Sequence, residues 1–236
     1  MSSFQTIQIY HLHKSGTSSR ELAVTTEKKL NICVNNHIFD SIMRTPGDEK
    51  AHIMGLLFSH QLISRADELQ SFKITWAKNE DTAQVYFQKT HKNDFFKRAN
   101  IKHSLTDILH CIDLLSRYQP LRAKTRATHA ALLLDHQCNP ITAKEDAGRH
   151  NALDKVIGQA LLDCSLDRAH ILVLSSRVSH ELMIKILKTP IQCVFSVSRP
   201  TSLAVQLGRE FGMTMACLSK NDGVLVFSGY NNLFTS

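Results

Sequence analysis

Apolar residues recur most regularly between Glu145 and Gly158 and just beyond. Leu153, Val156, Ile157, Ala160 and Leu161 stand at i, i+3, i+4, i+7 and i+8, the spacing of one stripe along a core-facing helix. Asp154, Lys155 and Gln159 fall on other faces. The pattern predicts a helix beginning near Asn151, with Asn151 as its cap, Asp154 three residues on and Gly148 letting the chain turn in. Arg149 and His150 then stand at the helix entrance, where free N–H groups and the positive end of the dipole favour an anion. A plain capped helix with no ligand accounts for the same residues.

The same periodicities divide the rest of the chain. Residues 1–20 read as a flexible tail. Leu30, Ile32 and Val34 alternate with polar neighbours, Asn35-Asn36 reads as a turn, and Ile38, Phe39 and Ile42 resume the apolar face, which predicts a hairpin. Thr45-Pro46-Gly47-Asp48 predicts a helix start with Pro at the first helical position, and the helix buries Ile53, Leu56, Leu57 and Phe58. Phe72 to Trp76 and Ala83 to Phe87 read as short strands, so residues 21–103 form a small α+β domain ending in a basic connector, Lys89 to His103, with Phe95-Phe96 as its apolar pair. Ser104 and Asp107 cap a helix striped by Leu105, Ile108, Leu109, Ile112 and Leu115, with Cys111 at its edge as a core thiol.

From residue 104 to 236 strands and helices alternate. Ala130 to Leu134, Ile171 to Leu174 and Cys193 to Val197 read as strands, each followed by a helix: from Asn151, from Ser179 to Leu187, and from Ser202 to Phe211. Met213 to Leu218 and Val224 to Phe227 follow as a pair of strands around Asn221-Asp222-Gly223. This predicts an α/β domain with a largely parallel sheet covered by helices. Ligands in such sheets sit at the carboxyl ends of the strands. That places the candidate site in 135–150, 175–179, 198–202 and 220–223.

Two of those loops, Ser175-Ser176-Arg177-Val178-Ser179 and Ser198-Arg199-Pro200-Thr201-Ser202, combine hydroxyls, a helix start and an arginine, the parts that hold phosphate. Ordinary capping explains either loop alone; with Arg149 and Lys220 they point together to a doubly phosphorylated or dinucleotide-like ligand.

Composition narrows this further. The chain has 236 residues, is 43% hydrophobic and carries a net charge of +7 before its 13 histidines are counted, which suits an anionic partner. Its basic residues are dispersed, with no aromatic-interleaved basic block, so a small anion is favoured over nucleic acid. No apolar run is long enough for a membrane span and the N-terminus has no signal region, so a cytoplasmic address is expected. The six cysteines are scattered without a Cys-x-x-Cys pair and read as reduced thiols. A zinc deaminase would need His-x-Glu and Pro-Cys-x-x-Cys. Here His180 and Glu181 are adjacent and Pro190 is followed by Cys193 alone, so no zinc is expected. Nucleophile elbow, Walker A and Rossmann glycine patterns are absent as well.

Three segments together resemble one family. Glu145-Asp-Ala-Gly-Arg-His-Asn-Ala-Leu-Asp-Lys-Val-Ile-Gly158, Ser176-Arg-Val-Ser-His-Glu181 and Arg199-Pro-Thr-Ser-Leu-Ala-Val205 strongly resemble the formate dehydrogenase accessory sulfurtransferases, the FdhD/NarQ family. Weaker matches at Val34-Asn35-Asn36, Met43 to Asp48, Thr128 to Ala131 and Gly212 to Thr214 extend the likeness over nearly the whole chain from about Glu27. The resemblance implies a cytidine-deaminase-like three-layer C-terminal domain beside the smaller N-terminal α+β domain. It further implies a cytoplasmic homodimer that binds the bis-guanine-dinucleotide molybdenum cofactor and serves the formate dehydrogenase apoenzyme. Sulfur would come from a cysteine desulfurase as a persulfide. By the same resemblance Leu218, Ser219, Lys220, Asn221, Asp222 and Gly223 contact the cofactor, with Lys220 in place of a usual arginine; Arg149 and His150 at the helix entrance and Arg177, Arg199, Thr201 and Ser202 of the two loops are expected to join them.

The chain departs from the family in one segment. The family's persulfide loop, Cys-Gly-x-Cys-Gly, would fall where Phe95 to His103 stand, and no cysteine occurs there. The usual Thr-Gly-Gly is altered to Thr125-Arg126-Ala127. Two readings follow: a sulfurtransferase using a displaced thiol, Cys111 or Cys217, or a cofactor-binding protein without sulfur chemistry.

Overall fold

The computed structural model describes residues 2–90, 101–220 and 223–233. Its centre is a six-stranded sheet. The strands are β7 (His129–Leu134), β8 (Pro140–Asp146), β9 (Ile171–Leu174), β10 (Cys193–Ser196), β11 (Thr214–Leu218) and β12 (Val224–Ser228), in the order β12-β11-β10-β9-β7-β8. Among hydrogen-bonded neighbours, β9-β10 and β10-β11 are parallel, whereas β7 opposes β9, β8 opposes β7 and β12 opposes β11. The expected largely parallel sheet is therefore mixed. The reason is β8, which pairs with β7 after a turn whose backbone is closed on the Asp135 carboxylate by Gln137 and Asn139 N–H groups at 2.8 and 2.9 Å. Sequence pattern missed β8 because Pro140 to Asp146 is polar and only partly covered.

Alternation along the strands sends residues to two faces. Ala130, Leu132, Leu134, Ile171, Val173, Cys193 and Phe195 pack with Ile108, Cys111, Ile112 and Leu115 of α2 (Leu105–Arg117). Ala131, Leu133, Leu172, Leu174, Val194 and Met215 face the other way, toward α4 (Arg149–Leu162), α5 (His180–Ile186) and the buried Ala204 of α6 (Ser202–Glu210). This gives the three-layer α/β domain. α2 begins as expected: Ser104 Oγ accepts from the Asp107 N–H at 3.1 Å, and the Asp107 carboxylate accepts from the Ser104 N–H at 2.8 Å. A short helix, α3 (Pro120–Thr125), follows it and went unforeseen.

The N-terminal unit is a four-stranded sheet, β4-β3-β6-β5, built from β3 (Lys28–Val34), β4 (His37–Arg44), β5 (Leu69–Thr75) and β6 (Glu80–Phe87). Asn35 and Asn36 carry φ of 47° and 69° in the tight β3-β4 turn, the left-handed pair a two-residue hairpin requires. Where a flexible tail was expected over 1–20, the chain forms most of a hairpin. β1 (Phe4–His13) and β2 (Gly16–Thr25) pair antiparallel over ten positions, with Thr25 Oγ1 hydrogen-bonded to Thr125 Oγ1 at 2.8 Å. Its side chains are mostly exposed, which is why no amphipathic pattern announced it.

Two corrections concern helix starts. α1 (Glu49–Ser59) is entered through Asp48 at φ 59°, so Pro46 lies before the helix rather than at its first position. The cause is Thr45, pinned by its N–H to Asp146 Oδ2 at 3.0 Å before the chain can coil. α4 starts at Arg149 with Gly148 as its cap, and Asn151 is already helical. Its side-chain amide donates to Met43 O at 2.8 Å and to Asp146 Oδ1 at 3.0 Å instead of capping.

Helix α4 is covered on nearly every side, Asp154 and Lys155 included at 1% exposure each. One side meets the sheet and the other meets α1, which approaches until glycines are required. A Cβ on Gly55 would stand 1.8 Å from Asp154 O, and one on Gly158 would stand 1.8 Å from Ala51 O. The acidic and lysine side chains caught in this junction are paired, whereas both ring nitrogens of buried His52 lack a hydrogen-bond partner among the described residues. Lys155 Nζ lies 2.8 Å from Asp146 Oδ2 and donates to Thr45 O at 2.9 Å, while Asp154 accepts from Ser59 Oγ at 3.0 Å and pairs with Lys185 at 2.5 Å. Close by, fully buried Arg44 pairs with Asp81 at 2.6 Å and with Glu49 at 3.1 Å.

Replacing Gly55 or Gly158 with alanine should force the two helices apart and cost at least about 3 kcal/mol, the upper range of overpacking, because the obstacle is backbone. Urea unfolding at pH 7 measures it. His52, fully buried beside Lys155, Lys185 and Arg44, is held well below its ordinary pKa by burial first and those cations second. It stays neutral in the folded chain while the unfolded chain takes up a proton below about pH 6.5. Stability should thus fall as pH drops through that value, by up to about 1.4 kcal/mol per unit from this group. His52→Gln should flatten the slope of unfolding free energy between pH 7 and 5.

Candidate functional site

The strand directions bring most of the sequence-predicted residues to one edge. Leu174, Ser196 and Cys217 are in register, so the loops after β9, β10 and β11 leave the sheet side by side. Because β7 runs the other way, its first residue lies at this edge too: Ala130 N–H donates to Ser175 Oγ at 2.9 Å and Ser175 N–H to Ala130 O at 3.1 Å. His129 pairs in register with Asp146, which places the start of α4 at the same edge. Arg149, His150, Arg177, Arg199, Thr201, Ser202, Leu218, Ser219, Lys220 and Gly223 therefore share it. Asn221 and Asp222 lie outside the described residues.

Arg177, Arg199, Ser202 and Lys220 are exposed, while Arg149, His150 and Thr201 are half-buried. None of α4, α5 and α6 has a side-chain cap: Gly148 has no side chain, Ser179 Oγ donates to Glu181 at 3.2 Å, and Thr201 makes no capping bond. The ordinary capping that would have explained these loops is not made. Thr201 N–H instead donates to Val178 O at 2.9 Å and ties the second loop to the first. Two buried nitrogens at the edge lack partners among the described residues, Arg149 Nε and His129 Nδ1. His129 was not foreseen; its place before the first apolar strand gave no signal of chemistry. Burial, then the Arg122 and Arg149 charges, lower its pKa. Burial, Lys185 and Arg149 lower that of His150.

The residues of the long signature divide by their partners. Glu145 accepts from the N–H groups of Leu121 and Arg122 at 2.8 Å each and from Thr128 Oγ1 at 2.8 Å, so it caps α3. Asp146, Asn151, Asp154 and Lys155 all serve the α1–α4 junction. Arg149 and His150 alone among its charged or titratable members remain for a ligand.

A scan of family models matches this chain to the FdhD/NarQ family over residues 25–106 and 79–234. A sulfur carrier protein FdhD of Xanthomonas euvesicatoria is 38% identical over 247 residues, covering 92% of this chain and 88% of that protein. The chain belongs to the FdhD/NarQ family. FdhD sulfur carrier proteins of Streptomyces avermitilis and Sulfurisphaera tokodaii are each 28% identical, over 96% and 89% of this chain and 94% and 91% of theirs. The crystal structure of a formate dehydrogenase accessory protein from Desulfotalea psychrophila shares the fold, with a TM-score of 0.84 and 23% identity over 99% of this chain and all of that one. Among the described residues no helix is long and apolar enough to cross a membrane.

FdhD/NarQ membership directs attention to thiols. Of the segment Phe95 to His103, residues 95–100 lie outside the described residues. Cys217, next to the loop at 218–223, is fully buried; burial raises its pKa, against the pull of Arg199. A second group of thiols stands at the opposite edge of the sheet. Cys111 of α2 meets Cys138 of the β7-β8 turn, and His103 and Cys193 adjoin them. The proton stays on Cys111, pushed up by its bond to Cys138 and by burial. Cys138, held by that bond and by His103, is lowered to about 5. Burial pushes Cys193 up to about 12 and lowers His170 to about 4. Cys138 carried no signal in the sequence, since its three partners lie on separate segments.

In reduced, chelator-treated protein at pH 6.5, iodoacetamide should label Cys138 first although it is half-buried, exposed Cys164 more slowly, and Cys111, Cys193 and Cys217 hardly at all. Peptide mapping over a time course gives the order.

Proposed function

We propose that this chain is an accessory protein of formate dehydrogenase that holds the bis-guanine-dinucleotide molybdenum cofactor as cargo at the carboxyl edge of β9, β10 and β11. Support comes first from family membership and the names its relatives carry. The observation that carries the reading is Arg149: a guanidinium whose buried Nε has no partner among the described residues, at the start of a helix without a side-chain cap, calls for an anion. Arg177, Arg199 and Lys220 add charge for further phosphates, and the exposed loops leave room for a ligand with two nucleotide arms. The chain's own residues bind and orient the cargo through phosphate contacts; the metal chemistry belongs to the cofactor and to the dehydrogenase that receives it. The reading includes a cytoplasmic homodimer.

Sulfur carriage is the second reading, favoured by the sulfur carrier name of the relatives and by the place of half-buried Cys138 against Cys111 and His103. The thiolate would attack the outer sulfur of a desulfurase persulfide, gaining one sulfur atom while the donor leaves as its own thiolate.

Arg149→Gln combined with Lys220→Gln should remove co-purifying guanine nucleotide and pterin at least about tenfold, the loss of two charge-assisted contacts, with circular dichroism unchanged. Retained ligand refutes the site. Separately, incubation with cysteine and a cysteine desulfurase followed by intact-mass measurement tests carriage. One added sulfur that disappears in Cys138→Ser supports it, and no added sulfur on any cysteine leaves cofactor binding as the function.

A further inference from the structure

At the edge of the sheet remote from the cofactor loops, three buried donors from separate segments converge. His103 precedes α2, His170 precedes β9 and Cys193 opens β10; they are 3%, 6% and 1% exposed. One donor atom from each lies within 4.8 Å of the others, and Cys193 Sγ is 4.0 Å from His170 Nε2. The two imidazole rings stand 5.4 Å apart between centroids, tilted at 49°, with Phe195 edge-on to His103. His103 Nε2 is buried and has no hydrogen-bond partner among the described residues.

A structural hydrogen-bond cluster would satisfy that nitrogen, because buried polar atoms are nearly always paired. Here that nitrogen has no partner among the described residues, while its residue converges with a second imidazole and a thiol and with no carboxylate in the group. Two imidazole nitrogens with a thiol sulfur form the mixed donor set that suits Zn(II), whose tetrahedral ligands at about 2.1 and 2.3 Å stand about 3.6 Å from one another. The observed 4.0 Å between Cys193 and His170 needs only a few tenths of an ångström of adjustment. A further thiol lies in the same core: Cys138 is hydrogen-bonded to His103 and packs against the cluster that holds Cys193.

We propose that His103, His170 and Cys193, completed by Cys138, form a structural zinc site that clasps the segment before α2 and the β7-β8 turn to the starts of β9 and β10. The pattern is unlike a deaminase centre: the ligands come from four separate segments and lie at the end of the sheet away from the entrances of α4, α5 and α6. Four protein donors close the coordination sphere, the arrangement of zinc that holds a fold rather than one that activates water. The proposal stands apart from the cofactor reading. Zinc there would also withdraw Cys138 from sulfur carriage, which is why the persulfide assay belongs with chelator-treated protein.

The test uses the full chain, stripped with chelator under reducing conditions and titrated with Co(II) as the probe, then with Zn(II) in competition. The expected result is saturation at one ion per chain, with thiolate-to-cobalt charge-transfer absorption and the intense visible bands of a tetrahedral site, both bleached by zinc. Cys193→Ser should abolish the charge transfer from that thiol and weaken binding at least tenfold, and His103→Gln, which keeps the side chain's bulk, should weaken it comparably. Cys164→Ser, on an exposed residue outside the donor group, should change nothing. Zinc should also protect Cys138 from alkylation. If Cys193→Ser fails to fold, His103→Gln decides. Absence of a saturable cobalt spectrum overturns the proposal, as does a spectrum that survives both substitutions or one lost only in Cys111→Ser.

Discussion

The contact of α1 with α4 is the constraint on which the rest of the molecule depends. Two glycines bring the helices to backbone contact, Gly55 against Asp154 and Gly158 against Ala51. So close an approach leaves no water between them, and each charged side chain trapped there needs a partner within the protein. Lys155 finds Asp146 and the Thr45 carbonyl, and Asp154 finds Ser59 and Lys185. Buried pairs of this kind add little net stability, yet removing one partner strands the other. Their effect is to fix one docking of the N-terminal sheet on the C-terminal domain, because a helix shifted by one turn would leave several charges without partners.

That constraint explains which parts of the fold were legible beforehand. The strands β7, β9, β10 and β11 and the helices α2, α5 and α6 were readable because each shows one apolar face or one continuous apolar run to a single core. Asp154 and Lys155 stand off the apolar stripe of α4, and only the junction with α1, which no spacing announces, encloses them. Asn151 carried the right side chain for a cap, but Asp146 and Met43 claimed its amide. The hairpin of β1 and β2 and the polar strand β8 bury too little to write a periodic signature.

The candidate site was legible to a similar degree and for a related reason. Loops at strand ends could be located from the alternation of elements, so Arg149, Arg177, Arg199 and Lys220 reach one edge. Long signature residues such as Glu145, Asp146 and Lys155 turn out to hold backbone and neighbours instead. A stretch that identifies a family thus need not be the part of it that touches ligand. Contacts assembled from distant segments, such as Cys138 with Cys111 and His103, lie beyond any reading of spacing.

The reversal of β7 against its neighbour has a consequence for traffic across the molecule. Because β7 and β8 run opposite to each other, the chain crosses the full width of the sheet between Cys138 and Arg149. The seven residues of β8 span about 23 Å at the usual rise per residue. The interior between the two edges is filled on both faces by packed side chains. Whatever is received at the thiol end and required at the arginine end must therefore be carried around the domain or delivered by another molecule. For any such handover, distance and not reactivity sets the difficulty.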